Sequence, residues 1–369
     1  MATTIRHTPV PTGQASPPPS AETSATRPVI GWAVAGAASL AIFALLLVLW
    51  LASGQATPTS NGADAIPTFM TVFIRIHEVG FVVLGVWLGW RWVIRPLRRD
   101  GRLSVDGMMF LALLTIYWQD PIQAWIKPSF IFNTGMLQFG SWSPFVGVTL
   151  PNSHLYSEPF LFEGVGWAVA VLPFMMCANW VMRSAKARWP GLRPVHLVLI
   201  CFAVLAGFDL AIEPVWLLMG ICAYPSAIRW LSLFPGHYYQ FPLYETFFWG
   251  CCWTAMASVR YFRNDRGETI AERGLDRVHT GPRRKGWLRF LAIAGLFNAL
   301  ALFMYYIPLG LVTGIWGDSW PEDIVNRSYF TNQLCGPGTD YACPSLLDPV
   351  PRSGSGHVAP DGRYVPAER

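Results

Sequence analysis

Long apolar runs are the feature of this sequence that most restricts its fold. A segment of about 20 apolar residues is needed to cross the hydrocarbon core of a bilayer, and such runs recur along the whole chain. Only 13% of the 369 residues are charged, compared with about 25% in soluble domains. We therefore expect an all-α integral membrane protein, a bundle of about seven transmembrane helices. The candidate spans are residues 29–52, 69–94, 107–127, 160–183, 195–220, 240–262 and 287–310.

Basic residues predict how the bundle is oriented. Most of the 27 Lys and Arg residues follow the second and fourth candidate spans or precede the seventh. Because loops rich in Lys and Arg stay in the cytoplasm, we expect the N-terminus to be cytoplasmic and the C-terminus extracytoplasmic. The net charge of +5 then reflects cytoplasmic loops, so we expect no nucleic-acid partner.

Three regions follow from this topology. Residues 1–28 are rich in Pro, Ser and Thr, which is typical of a disordered tail; a secretory signal is disfavoured because the following run is too long. The transmembrane domain covers residues 29–310, and 311–369 form an extracytoplasmic segment. That segment contains Cys335 and Cys343, and disulfides persist outside the cytoplasm. We predict a disulfide between them; a zinc site is the weaker alternative, since two sulfurs without a nearby His rarely suffice.

Carboxylates inside the candidate spans point to a functional site. Ionisable side chains in a bilayer are costly and usually functional. Asp209 and Glu213 are four residues apart, so they share a helix face. Counted along each span, the acids of five candidate spans fall in the outer half of the bilayer. These acids are Glu78, Asp120, Glu158, Glu163, Asp209, Glu213 and Glu245.

Paired carboxylates separate their pKa values, which lets one act as an acid and the other as a base. Asp209 and Glu213 are the predicted pair. Pro121 and Pro214 follow acids within spans, and we expect the helices to break there and line a cavity. The predicted catalytic residues are Asp209, Glu213, Asp120, Glu245, His77 and Glu78, and the predicted substrate-binding residues are Trp118, Tyr244, His237 and Glu158.

Structural alternatives accompany these roles. The acids could be interfacial, solvated or engaged in helix capping, and His77 could be a packing residue.

The sequence lacks the zinc-hydrolase, nucleophile-elbow, Walker and Rossmann motifs, and we expect neither a metal nor an organic cofactor. The residues alone leave open an acid–base enzyme, a proton-coupled transporter or lipid-handling protein, and a structural membrane protein.

Twelve short segments together resemble the avermectin-type spirocyclase (AveC-like) membrane family. The similarity extends from the second candidate span to Cys343. The segments are Tyr117–Pro121, Phe139–Trp142, Glu158–Phe162, Trp180–Pro190, Phe208–Glu213, Ala223–Pro225, Phe241–Glu245, Arg260–Gly267 with Glu272–Gly274, Arg327–Thr331, Cys335–Pro337 and Ala342–Pro344.

The resemblance implies an enzyme of macrolide polyketide biosynthesis in a bacterial cell membrane. Such an enzyme closes a dihydroxy-ketone precursor into a spiroketal of defined stereochemistry, and some relatives also dehydrate the spiroketal ring. The apolar polyketide could enter directly from the bilayer. For the basic loops around 180–190 and 260–274 we favour topology anchoring over docking of a polyketide synthase or an anionic lipid. The resemblance implies neither the particular polyketide nor the oligomeric state.

Overall fold

The computed structural model describes residues 28–148, 150–331, 333–336, 339 and 341–345, together with the backbone of 357–358 and 364–365. The predicted disordered tail of residues 1–28 lies outside this part, except for Pro28, which begins the first helix. Most of the described chain is helical. The helices are α1 (Pro28–Ala52), α2 (Thr68–Asp100), α3 (Val105–Leu114), α4 (Phe160–Arg188), α5 (Pro194–Leu218), α6 (Leu243–Tyr261), α7 (Pro282–Trp316), α8 (Glu322–Val325) and α9 (Ser328–Thr331).

Five of these helices are long and apolar enough to cross a membrane, namely α1, α2, α4, α5 and α7. They coincide with five of the seven candidate spans. The candidate at 107–127 is α3 followed by a 3-10 helix at Tyr117–Ala124, and the candidate at 240–262 is the less apolar α6. The structure supports a helical membrane protein, whereas seven spans and the orientation of the termini stay predictions.

Prolines coincide with local widening of three long helices. A proline leaves the carbonyl four residues earlier without its helical partner. In each of these helices a π-helical stretch contains that earlier residue and ends two residues before the proline. The stretches and prolines are Trp90–Ile94 with Pro96 in α2, Trp167–Val171 with Pro173 in α4, and Leu302–Tyr306 with Pro308 in α7.

The two predicted helix breaks have different outcomes. The α-helix that precedes Pro121 ends at Leu114, and Pro121 lies in the 3-10 helix Tyr117–Ala124. The predicted break at Pro214 is wrong, because α5 continues through it to Leu218. A proline has helical φ and removes a single backbone hydrogen bond, and α5 stays helical despite that loss.

Helix α1 attaches to the bundle through a close contact with α7. A Cβ atom on Gly36 would lie 2.0 Å from the Leu291 carbonyl oxygen, and one on Gly295 would lie 2.1 Å from the Trp32 carbonyl oxygen. Small residues of this kind let two helix backbones approach closely in a membrane. Most of the remaining α1 surface is exposed and apolar, as expected of a helix that faces lipid.

Short strands and the chain after α7 form a second layer over one end of the bundle. Strand β1 (Ile131–Phe132) pairs antiparallel with β2 (Cys222–Ala223), directly after α5. Buried aromatic residues such as Trp320 and Phe330 give this layer its own apolar cluster. The predicted disulfide between Cys335 and Cys343 is present there. The other antiparallel pairs are β3 (Ser232–Leu233) with β4 (Phe241–Pro242) and β5 (His357–Val358) with β6 (Tyr364–Val365).

Part of the basic character at the opposite end of the bundle is structural. Arg260, near the end of α6, donates from Nε to Asp106 Oδ1 over 2.9 Å and from Nη1 to Asn179 Oδ1 over 2.9 Å. These bonds join α6 to α3 and α4. Arg260 therefore stabilises helix packing. Arg263 and Arg266 of the same loop also form ion pairs, with Asp106 and Asp276, and topology anchoring by this loop stays a prediction.

Candidate functional site

Three carboxyl groups meet between α5 and α6. Asp209 and Glu213 lie one helical turn apart on the buried face of α5, and Glu245 lies in the first turn of α6. One oxygen from each of the three lies within 4.8 Å of the others. Asp209 is the central member, because its carboxyl contacts those of both Glu213 and Glu245. Carboxylates this close cannot all be ionised without strong repulsion, so the group is suited to sharing protons.

Hydroxyl groups complete the surroundings of this carboxyl triad. Thr246 donates to Asp209 Oδ2 over 2.7 Å. The Tyr224 hydroxyl donates to Glu213, and the Gln240 amide fixes Tyr224 by donating to its carbonyl oxygen over 2.6 Å. All three acids are buried, and Glu245 has no exposed surface. Apart from protons, three carboxylates at this spacing could hold an oxygen-preferring cation.

A second carboxyl pair joins the 3-10 helix to the start of α4. The carboxyl groups of Asp120 and Glu158 lie within hydrogen-bond reach of each other, and both are buried. Ser141 donates to Glu158 Oε1 over 3.0 Å, and the Tyr117 hydroxyl donates to the Glu158 carbonyl oxygen over 3.0 Å. Two buried acids in contact retain a shared proton, so this pair is a second proton-holding group.

The protonation of Glu158 should make stability depend on pH. Burial raises the pKa of Glu158 from 4.5 to about 7. A carboxyl whose pKa is raised by folding stabilises the fold at low pH, and that contribution is lost as pH rises through the folded-state pKa. We expect the unfolding midpoint of the detergent-solubilised protein to fall by a few degrees between pH 6 and 8 (about ±1 pH around this pKa), and less in Glu158→Gln. An identical pH slope in both proteins would contradict this assignment.

Glu163 lines an aromatic cavity and interacts with both the carboxyl triad and the Asp120–Glu158 pair. The cavity, of about 40 Å³, is lined by Glu163, by the aromatic rings of Phe81 and Phe162, and by four tryptophans. Glu163 is partly exposed and interacts electrostatically with Asp120 and with Glu213. The cavity-lining tryptophans are Trp167, Trp216, Trp249 and Trp253.

His77 and Glu78 of α2 have different surroundings. His77 Nε2 accepts a hydrogen bond of 2.8 Å from the Trp216 indole, and its ring packs against Phe73 and Trp216. Glu78 forms an ion pair with Arg75 and accepts a 2.6 Å bond from the Leu137 backbone N–H. His77 therefore supports the cavity wall, whereas Glu78 ties α2 to the loop before α4. The structure does not bring Glu78 into the carboxyl triad.

None of the four residues predicted to bind substrate is among those that line the aromatic cavity. Glu158 belongs instead to the carboxyl pair with Asp120. The Trp118 indole donates to Asn298 Oδ1 over 3.0 Å, and the Tyr244 hydroxyl lies 3.3 Å from that of Thr313. His237 is exposed, with its ring stacked on Tyr239 at 4.9 Å. Their roles in substrate binding stay predictions.

The prediction of catalytic and binding residues omitted Glu163 and the hydroxyl partners of the triad. Glu163 was noted only as one acid among seven, although Trp167 follows it by four residues and so lies on the same helix face. Thr246 was detectable through its position next to Glu245. Tyr224 gave no such signal, because its contact with Glu213 depends on how the chain turns after α5.

Comparison with known proteins identifies the family of this chain. A family model described as "Spirocyclase AveC-like" matches residues 100–330. No curated protein and no solved structure matches the chain. The matched segment covers more than half of the sequence, and His77 and Glu78 precede it. It contains all six carboxyl residues of the site, Asp120, Glu158, Glu163, Asp209, Glu213 and Glu245. The chain therefore belongs to the AveC-like spirocyclase family.

Proposed function

We propose that this protein is a stereoselective spiroketal cyclase that acts on a dihydroxy-ketone macrolide polyketide precursor by general acid and base catalysis. The observation that carries the proposal is the juxtaposition of proton-sharing carboxyl groups with an aromatic cavity in a membrane-embedded bundle. Family membership supports a spirocyclase-type role. The polyketide class and the location in a bacterial cell membrane are parts of the proposal.

Spiroketal formation requires an acid, a base and stabilisation of a cation, and carboxyl groups can supply all three. One substrate hydroxyl adds to the ketone to give a hemiketal, and an acid then protonates the hemiketal hydroxyl so that water leaves. The second hydroxyl attacks the resulting oxocarbenium ion, and a base takes its proton. Asp209 and Glu213 are the proposed acid–base pair, with Asp120 and Glu245 completing the charge environment in which the cation forms.

The carboxyl triad suggests where protons reside before reaction. Asp209 contacts two other acids and accepts from the Thr246 hydroxyl. If Glu213 and Glu245 each carry a proton, the Asp209 carboxylate receives three donors and no two ionised carboxylates face each other. This arrangement holds an acid and a base in direct contact. Dehydration of the spiroketal ring would use the same groups, and we propose it as a secondary activity.

A cyclisation assay tests the proposal. Membranes that contain the protein are incubated with a synthetic dihydroxy-ketone macrolide precursor, and the spiroketal diastereomers are separated by chromatography and identified by mass. Empty membranes measure spontaneous closure. We expect faster formation of one diastereomer, and an additional loss of water where dehydration follows. Rates and diastereomer ratios equal to those of empty membranes would contradict the cyclase proposal.

A further inference from the structure

The cavity beside Glu163 has the composition of a cation site. Trp249 and Trp253 have ring centroids 4.6 Å apart, and Trp167 lies 4.6 Å from Trp249. Tyr305 stacks on Trp249 at 4.1 Å and fixes its plane. Electron-rich ring faces attract a cation, most strongly where water is excluded. Glu163 adds the carboxyl group that such a cation needs as its counter-charge.

The backbone around the cavity is also unusual. Glu163 lies in the π-helical stretch Phe160–Val165, and Trp167 begins a second one at Trp167–Val171. Across the bundle, Tyr305 belongs to the π-helical stretch Leu302–Tyr306. Single π-helical turns are rare and occur frequently at functional sites. Wider turns of α4 therefore carry two residues of the cavity wall, Glu163 and Trp167, and a wider turn of α7 carries Tyr305, which packs on the wall residue Trp249.

We propose that this cavity binds a six-membered cyclic cation against its tryptophan rings, with Glu163 as the counter-charge and the group that exchanges a proton with the bound ring. The inference rests on the proposed function for its natural occupant, the cyclic oxocarbenium ion. It adds to that function a residue in contact with the substrate. Glu163 then takes over direct proton exchange with the substrate, since neither Asp209 nor Glu213 lines the cavity. The Asp209–Glu213 pair acts through Glu163 by keeping it in the protonation state that the reaction needs, because Glu213 interacts electrostatically with Glu163.

Glu163 both donates and accepts a proton during the proposed reaction. Protonated Glu163 gives its proton to the hemiketal hydroxyl, the carbon–oxygen bond breaks, and water leaves with the bonding electrons. The ring oxygen then shares the positive charge with the former ketone carbon. The second hydroxyl forms the new carbon–oxygen bond and releases its proton to the Glu163 carboxylate. The net result is loss of one water, and Glu163 returns to its starting state.

Entry requires the cavity to widen, because 40 Å³ accommodates only a few water molecules. The wall between α2 and α5 consists of side chains: Phe81 stacks on Phe162 at 5.9 Å, and Phe162 lies 5.0 Å from Trp216. Rotation of these rings would open the cavity toward the apolar face of α2. An apolar substrate could enter there from the bilayer without crossing the second layer of short strands.

The test uses two probes of the same ring size on the full-length protein in lipid nanodiscs. Piperidinium carries the charge and tetrahydropyran does not, and binding of each is measured by isothermal titration calorimetry. We expect Glu163→Gln to weaken piperidinium binding by about tenfold or more (about 1.4 kcal/mol) and to leave tetrahydropyran unchanged. Glu163→Asp keeps the charge and should weaken binding less. Glu322→Gln, at an exposed residue of α8, is the matched control and should bind like the wild type.

Comparison of the two probes separates electrostatic recognition from a folding defect, since a misfolded variant would lose both. Equal affinity of the wild type for both probes would overturn the inference, as would unchanged piperidinium binding in Glu163→Gln. Cyclisation of the synthetic precursor is measured on the same samples. Glu163-dependent piperidinium binding without cyclisation would support the cation site and contradict the cyclase proposal. Cyclisation that survives Glu163→Gln would support the cyclase and overturn the role of Glu163.

Discussion

Asp209→Asn should reduce the rate of spiroketal formation by about a hundredfold or more, the range expected for loss of a general acid or base. Asp209 is 4% exposed and lies at the centre of the carboxyl triad. An amide has nearly the same shape but neither accepts nor releases a proton at neutral pH. Proton exchange between Glu213 and Glu245 would therefore be interrupted while the packing is retained. The measurement is the initial rate of each diastereomer after subtraction of spontaneous closure.

Thr246→Val is the matched control for this substitution. It removes the hydrogen bond to Asp209 Oδ2 but retains all three carboxyl groups, so we expect a loss of about tenfold or less. The order of the two variants is the informative result. Equal rates for Asp209→Asn and the wild type, with equal yields of folded protein, would remove Asp209 from the mechanism. A larger loss in Thr246→Val would indicate that packing dominates at this position.

The sequence was informative where a local pattern reflects a local physical constraint. Length and hydropathy identify α1, α2, α4, α5 and α7, because each must be apolar along its whole length. The four-residue spacing of Asp209 and Glu213 predicts a shared face, and α5 places both on its buried face. The disulfide between Cys335 and Cys343 followed from the compartment that the topology assigns to the tail.

Contacts between distant segments were beyond such reasoning. That Glu158 meets Asp120 and that Glu245 meets Asp209 depends on how α4 and α6 cross the other helices. Equal depth along each span grouped Glu78 with these acids, yet Glu78 is neutralised by Arg75, three residues earlier. The depth of a side chain along a span can be estimated by counting residues. The rotation of the helix about its axis and the identity of its neighbouring helices are set by tertiary packing.

Asn298 of α7 illustrates the same limit and is the site of the second large expected effect. It is 2% exposed and holds the 3-10 helix that carries Asp120. Its Oδ1 accepts from the Trp118 indole over 3.0 Å and from the Gln119 amide over 2.8 Å. Its Nδ2 donates to the Thr115 hydroxyl over 2.8 Å. One polar side chain thus satisfies three groups on a segment far away in the sequence.

Asn298→Leu should destabilise the protein strongly. The Trp118 indole would stay buried without its acceptor, and the Gln119 amide would keep only its 3.2 Å bond to the backbone carbonyl of residue 298. A buried donor that loses its acceptor costs about 1–3 kcal/mol. At roughly 2–4 °C per kcal/mol, the unfolding midpoint should fall by about 5–10 °C. Thermal unfolding of the detergent-solubilised protein, followed by near-UV circular dichroism, measures this change.

Asn298→Leu should also lower the rate of cyclisation, because the lost hydrogen bonds hold the segment that carries Asp120. Without the Asn298 side chain, the segment from Tyr117 to Ala124 loses its side-chain hydrogen bonds to α7 and keeps its packing contacts. Asp120 is then held less firmly relative to Glu158. We therefore expect cyclisation to fall even below the temperature at which the variant unfolds. Thr115→Val removes one of the three bonds and should shift the midpoint by a few degrees at most. If Asn298→Leu unfolds at the wild-type temperature, the 3-10 helix is held by packing of its aromatic residues, and the hydrogen bonds of Asn298 do not position Asp120.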